Sequence, residues 1–430
     1  MKKRPVKKVI LSLAVMGVLG APIFAANLSN VSAAASNPNT EQKAEAKKST
    51  YPKNVILFIG DGMGQAARDA ITLATVGKSG NLEMDKMPVI GLVSTDSGDN
   101  LVTDSAAAAT AIATGVKTYN GAIGMNMNKK PVPTIMEQAK KAGLSTGIVT
   151  TSQVTDATGA AFGAHVENRS AQSDIAKQYL EKSKVDVILG GGEDFWYPAG
   201  TPGAHKDAPA EDPEEASKGT QGNLVAQAKK LGYTYATNSA EMKAASGSKL
   251  LGLFANEEMF QAHNELGNSY KPTVPLPDMT AKAIDVLSKN KKGFFLVVEE
   301  EATDEMAHDN EGELTIKAGQ QLDKAVKVAK DYAKAHPDTL VLVTADHETG
   351  GMAIEADDSE DESGDGTSKE DGPFTIHGSD EKFYIDWTTG GHTAINVTLT
   401  AMGPGAEKFA GSYPNTAIYD KLLQLLKLKK

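Results

Sequence analysis

Carboxylates, imidazoles and hydroxyls recur in this sequence just after short apolar runs, where they could hold cations and act on an anion. Asn54–Ile59 (NVILFI) leads into Gly60-Asp61-Gly62-Met63-Gly64. Thr146–Thr151 (TGIVTT) leads into a segment carrying Asp156 and Thr158. Phe294–Val298 (FFLVV) is followed by Glu299, and Thr339–Thr344 (TLVLVT) by Ala345-Asp346-His347. Ligands of open parallel sheets bind outside the carboxyl ends of the strands. Asp61, Asp156, Thr158, Glu299, Asp346 and His347 are therefore expected on one edge. Carboxylates crowded together raise each other's pKa, and bound cations relieve the repulsion. A single aspartate in such a place serves equally well as a helix cap; a converging set with histidine points to metal.

Two further elements have ligand-type spacing. Asp304 and His308 (DEMAH) lie four apart, so on a helix they share a face. His392 sits in the turn Gly390-Gly391-His392-Thr393. Alone it reads as a structural histidine; beside carboxylates it reads as a ligand. Imidazoles and carboxylates with one open position are the donors that catalytic zinc takes. An all-oxygen set such as Asp61, Thr158 and Glu299 suits hard Mg²⁺. For a nucleophile, Ser105 follows Val102-Thr103-Asp104 and opens an Ala-rich stretch, Ala106–Thr114, closed by Gly115. Asp104 or Ser105 could simply cap that helix. A helix N-terminus also welcomes phosphate, and metal coordination can activate a serine. Arg169 (HVENR) offers a planar fork matching two phosphate oxygens, though by itself it is an ordinary surface charge.

The elements that position these groups alternate. Buried strands are expected at the four runs above and at Val185–Leu189, with helices at Thr134–Ala142, Met279–Leu287 and Ile316–Ala335. That alternation predicts an α/β fold: a mostly parallel central sheet flanked by helices on both faces. The 430 residues are 40% hydrophobic and 23% charged, enough for a large core. Cysteine is absent, which excludes disulfides, thiolate metal sites and thiol nucleophiles. Net charge is −11, which argues against nucleic-acid binding. Residues 1–35 read as a signal peptide, basic then apolar then small, so the mature protein is expected to be secreted with no membrane span. Those residues hold five of the 44 bases and no acid, so 39 bases against 55 acids leave −16 on the mature chain. Residues 36–50 read as a flexible linker, and 51–430 as one large catalytic domain with surface insertions at about 191–249 and 355–380. The segment Asp357–Asp371 carries eight acids and one lysine. It reads as a solvated loop and matches no EF-hand spacing.

Taken in order, IGDGMG, VTDSAAAATAIATGVKTYNGAIG, DATGAAFGAHVENR, FFLVVEEEATDEMAH, LVTADHETGGM and GGHTA resemble the bacterial alkaline phosphatases over roughly residues 51–400. The resemblance implies hydrolysis of phosphate monoesters through a phosphoserine at Ser105, with Arg169 clamping the phosphoryl oxygens. It implies two Zn²⁺ and one Mg²⁺. Asp304, His308 and His392 match the first zinc's ligands, and Asp61, Asp346 and His347 the second's. Asp61, Thr158 and Glu299 match the magnesium ligands. Asp104, Asp156 and His165 look like supports behind those ligands. The family is usually dimeric, which leaves a homodimer open. The sequence departs at Glu305, where some relatives carry a lysine paired with Asp156. A sulfatase is disfavoured because Ser105 is followed by Ala-Ala-Ala. A phosphodiesterase differs only in pocket shape, and a non-enzymatic binding protein would not need Ser105.

Overall fold

The computed structural model describes residues 50–207, 216–262, 267–356 and 369–429. The expected signal peptide, nearly all of the linker and most of the acidic segment lie outside the described residues. Among the described residues there are fifteen strands: β1 Asn54–Gly60, β2 Val89–Ser94, β3 Ser145–Gln153, β4 Val187–Gly191, β5 Thr234–Ala236, β6 Leu250–Leu253, β7 Phe294–Glu300, β8 Thr339–Thr344, β9 Glu348–Thr349, β10 Met352–Ala356, β11 Lys369–Thr375, β12 Lys382–Trp387, β13 His392–Thr393, β14 Val397–Met402 and β15 Gly411–Pro414. Ten of them form one sheet in the order β15-β2-β14-β8-β1-β7-β3-β4-β6-β5. Every neighbouring pair is parallel except the two that β14 makes with β8 and β2.

The continuous apolar runs make the middle of this sheet. All seven residues of β1 are buried, as are all six of β8 and all seven of β7. Burial on both faces explains why these strands do not alternate. The two faces are visible at β3. A Cβ on Gly147 would meet Leu287 of the helix Leu276–Leu287 at 2.8 Å. The next residue, Ile148, is what a Cβ on Gly159 of the helix Ala157–Gly163 would meet, at 2.9 Å. Consecutive strand residues point to opposite faces, so these two helices cover opposite sides of the sheet. The long helix Gly312–Ala335 packs beside Leu276–Leu287, and Ser105–Thr114 packs on Ala157–Gly163.

Helix boundaries follow local chemistry. Thr134 caps Ile135–Ala142 in a capping box: its hydroxyl accepts from Glu137 N, and Glu137 accepts from Thr134 N. Gly143 closes that helix in the left-handed conformation. Residues 191–249, read from sequence as an insertion over the sheet, supply its edge strand β5. After β10 the chain forms a separate antiparallel sheet, β10-β12-β11.

Because β1 is central, its side chains should tolerate no cavity. Leu57 is fully buried. Leu57→Ala is expected to destabilise the protein by about 2–5 kcal/mol, seen as a lower thermal midpoint. An unchanged midpoint would show that the central strand is not limiting.

Candidate active site

The site lies at the carboxyl ends of β1, β7, β3 and β8. β1 ends at Gly60, and Asp61 and Gly62 turn the chain outward. Gly62 adopts a positive φ of 64°, and a Cβ there would lie 2.4 Å from Asp304 Oδ1. Glycine is thus what allows the Asp61 turn to approach Asp304. Gly62 N donates to Asp346 Oδ1 at 3.2 Å, and Thr303 Oγ1 donates to the Asp61 carbonyl at 2.5 Å. Asp61, Glu299, Asp304 and Asp346 are all buried.

Two donor groups form here. In the first, Asp304 Oδ2 is 3.2 Å from His308 Nε2, and the Nε2 atoms of His308 and His392 are 3.0 Å apart. The other nitrogen of each ring faces a backbone carbonyl: His308 Nδ1 to Gly390 O at 2.7 Å, His392 Nδ1 to Thr103 O at 2.8 Å. Each Nδ1 is therefore the natural seat of the N–H, which leaves two lone pairs and a carboxylate aimed at one point. In the second group, donor atoms of Asp61, Asp346 and His347 lie within 4.8 Å of one another. His347 Nε2 is 3.4 Å from Asp61 Oδ1 and 3.3 Å from Asp346 Oδ2. The rings of His347 and His392 stack at 3.6 Å, so the two groups are neighbours.

Ser105 joins the second group. It is the first residue of the helix Ser105–Thr114, and its Oγ lies 3.1 Å from His347 Nε2 and 3.5 Å from Asp61 Oδ1. Asp104 is the N-cap: Oδ1 accepts from Ala107 N at 2.9 Å, and Oδ2 accepts from Gly121 N at 2.8 Å. The capping and nucleophile readings are thus compatible, with Asp104 taking the first and Ser105 free for the second. Thr158 Oγ1 donates to Asp61 Oδ2 at 3.2 Å, linking Asp61 towards Glu299. Arg169 Nη2 donates to both Asp156 oxygens at 3.1 and 2.8 Å, and Nη1 lies 3.7 Å from Asp104 Oδ2.

The remaining expected residues lie further out. His165 is bonded to the Gly124 carbonyl (2.8 Å) and to Glu137 Oε1 (3.0 Å), behind the capping box. Glu305 lies on the helix Ala302–His308, and its charge acts on Glu301 and His308. Sequence reasoning passed over three participants. Thr349 donates its hydroxyl to Asp304 Oδ1, and the buried Glu301 and half-buried Glu258 add carboxylates that act on one another and on Asp156. The run Glu299-Glu300-Glu301 was the available signal for Glu301; Thr349 left none.

The electrostatics favour cations. Burial, then Asp346 and Asp304, push the Asp61 carboxyl well above its usual range. Burial, then Asp156, push Glu299 up to about 8. Glu299 Oε1 and Asp346 Oδ2 are buried with no hydrogen-bond partner among the described residues. Burial opposes charge on His308, yet Asp304 raises it to about 9. Protons and cations answer the same demand here, and the oxygen and imidazole donors fit divalent ions.

Comparison with known proteins agrees. The alkaline phosphatase family model matches residues 52–377. This chain belongs to the alkaline phosphatase family. It is 34% identical to alkaline phosphatase 4 of Bacillus subtilis, over 99% of this chain and 98% of that one. It is 33% identical to the alkaline phosphatase of Escherichia coli K12, over 88% and 86%. A cold-active alkaline phosphatase from a psychrophilic Shewanella superposes with a TM-score of 0.71 at 32% identity, covering 87% of this chain and 99% of that structure. This alkaline phosphatase is a metal-dependent phosphomonoesterase with the expected α/β architecture.

Two outcomes test the donor sets. Chelation should abolish phosphatase activity, and His392→Ala should lower bound metal as measured by elemental analysis; full metal content would remove His392 from the first group. The second test concerns pH. An unfolded glutamate ionises near 4.5, whereas Glu299 in the folded, metal-free chain keeps its proton up to about 8. A raised folded pKa stabilises below the unfolded value, and that stability is lost as pH rises through the folded one. The thermal midpoint of chelated protein should therefore fall between about pH 4.5 and 8, while metal-loaded protein stays level. A chelated protein with no such slope would contradict the buried-carboxylate account.

Proposed function

We propose that this alkaline phosphatase works through a phosphoserine at Ser105, with zinc in both donor groups and magnesium at Asp61, Thr158 and Glu299. One observation carries the reading: the Ser105 hydroxyl stands at a buried helix N-terminus, 3.1 Å from His347 and 3.5 Å from Asp61. When bound, the cations supply Lewis-acid stabilisation of the entering and leaving oxygens. The chain's own groups do the rest. Asp104 fixes the first turn, so free N–H groups and the positive dipole end face the incoming phosphate. Asp156 and Asp104 hold the Arg169 fork, which is one-third exposed and able to grip two phosphoryl oxygens. Ser105 Oγ attacks phosphorus, the ester P–O bond breaks and the alcohol leaves. Water then attacks the phosphoserine, the P–Oγ bond breaks and inorganic phosphate departs.

Export through the segment 1–35 and assembly as a homodimer belong to the same proposal, supported by family membership. No helix among the described residues is long and apolar enough to cross a membrane.

Ser105→Ala should abolish phosphate labelling and lower kcat at least about a thousandfold. Label recovered on another residue would refute the assignment. Glu305 places a carboxylate beside Glu301 and His308, close to where an anion binds. Glu305→Lys should tighten inhibition by inorganic phosphate about tenfold, equivalent to about 1.4 kcal/mol. An unchanged inhibition constant would show that Glu305 does not govern product retention.

A further inference from the structure

The carboxylate of Glu300 is fully buried and belongs to neither donor group described above. Glu299 and Glu300 are consecutive on β7, so their side chains point to opposite faces of the sheet. Glu299 faces Thr150 and Thr158. Glu300 points the other way, and both its oxygens are engaged. Oε1 accepts from Thr151 Oγ1 at 2.7 Å and from Ala302 N at 3.3 Å, and Oε2 accepts from Tyr270 OH at 2.6 Å. The Glu300 carbonyl accepts from Asp61 N at 3.0 Å and from Thr303 Oγ1 at 3.1 Å. Thr151 Oγ1 in turn accepts from Glu301 N at 3.1 Å.

These bonds converge on the helix Ala302–His308. Its N-cap, Glu301, makes no capping bond with its side chain, so Glu300 Oε1 gives the first helical N–H an acceptor it would otherwise lack. Residues two apart on a helix lie about 200° apart around its axis. Asp304 and His308 therefore face the first donor group, while Ala302 and Met306 face away from it. Those two pack with Phe260 and Tyr270 in a small apolar cluster, the two aromatic rings 6.4 Å apart. Tyr270 thus holds the back of the ligand helix with its ring and Glu300 with its hydroxyl.

We infer that Glu300, locked in place by Tyr270 and Thr151, is a positioning residue for metal capture. It fixes the separation between the Asp61 turn and the helix that carries Asp304 and His308. The inference rests on the reading of Asp61, Asp304 and His308 as metal ligands. Glu300 meets ligand-bearing backbone on both sides, through Asp61 N and Ala302 N, while its carboxylate bonds only Thr151, Tyr270 and Ala302 among the described residues. Ser105 and Arg169 have supports of their own in Asp104 and Asp156. Loss of Glu300 should therefore loosen the two donor groups against each other and leave the groups that meet phosphate in place.

The test measures zinc affinity of the full chain by competition with a chromophoric chelator. Glu300→Ala should weaken zinc binding about 10–100-fold, the range found for groups that orient metal ligands. Tyr270→Phe, which removes one hydrogen bond, should weaken it about threefold to tenfold. Glu300→Gln should stay close to the parent, because its amide keeps an acceptor and gains a donor, and both hydroxyls can reverse their roles. Excess zinc should return most of kcat in Glu300→Ala with KM unchanged. Parent-like zinc affinity in both Glu300→Ala and Tyr270→Phe would overturn the inference. So would a Glu300→Gln variant as weak as Glu300→Ala, since charge rather than hydrogen bonding would then matter. If Glu300→Ala does not fold, Tyr270→Phe and Glu300→Gln decide the question by the same measurement. Asp61→Ala separates the two levels of the argument. If it also binds zinc as the parent does, the ligand reading fails; if it alone loses zinc, only the positioning role fails.

Discussion

Buried carboxylates at the carboxyl edge of a parallel sheet are the constraint on which the rest depends. Asp61, Glu299, Asp304 and Asp346 are each at most 4% exposed and converge within a few residues of the ends of three central strands, β1, β7 and β8. Such a group cannot stay ionised without positive charge nearby. The chain supplies three imidazoles and, further out, Arg169. The rest of the balance comes from cations, so the metals belong to the folded state as much as to the chemistry. Charge that the fold cannot neutralise alone becomes the means of holding the ions that a phosphate dianion needs.

Backbone geometry converts this demand into a defined arrangement. The carbonyls of Gly390 and Thr103 orient His308 and His392 so that both Nε2 atoms face Asp304. A two-residue bridge, β13 on β9, pairs His392 with Thr349 and so brings the first donor group beside His347. Thr349 in turn bonds Asp304 and lies 3.3 Å from His347 Nδ1. One threonine thus links ligands of both groups, and the ring stack of His347 on His392 limits how far they can separate. Gly62 contributes through what it lacks, since a side chain there would occupy the space of the Asp304 carboxylate.

These features differ in how far they are legible in sequence. The central strands β1, β7, β8 and most of β3 announce themselves because burial on both faces makes them continuously apolar. Their following residues could therefore be gathered onto one edge before any coordinates. The far side of the sheet was harder. In β2 (VIGLVS), Ile90 and Leu92 are exposed apolar residues, so alternation fails as a guide. β15 (GSYP) is short and holds a glycine and a proline, so it reads as a turn until β2 provides its partner. Arg169 and Asp156 were separately visible, but their ion pair depends on the chain path between them.

The charge balance also shows why local structure outweighs composition in this protein. The whole chain carries −11, yet its substrates are anions. At physiological ionic strength, charges more than about 8 Å apart in solvent are largely screened, so most surface acids act weakly on a bound phosphate. The local features around Ser105 are instead the N-terminus of Ser105–Thr114, the Arg169 fork and the two donor groups. Glu305 and Glu301 differ from the surface acids because they stand on the same helix or turn as the ligands themselves. Their negative field reaches the site through protein rather than solvent, where screening is weaker. The field at the site is therefore set by the balance between the positive groups gathered there and these few neighbouring carboxylates.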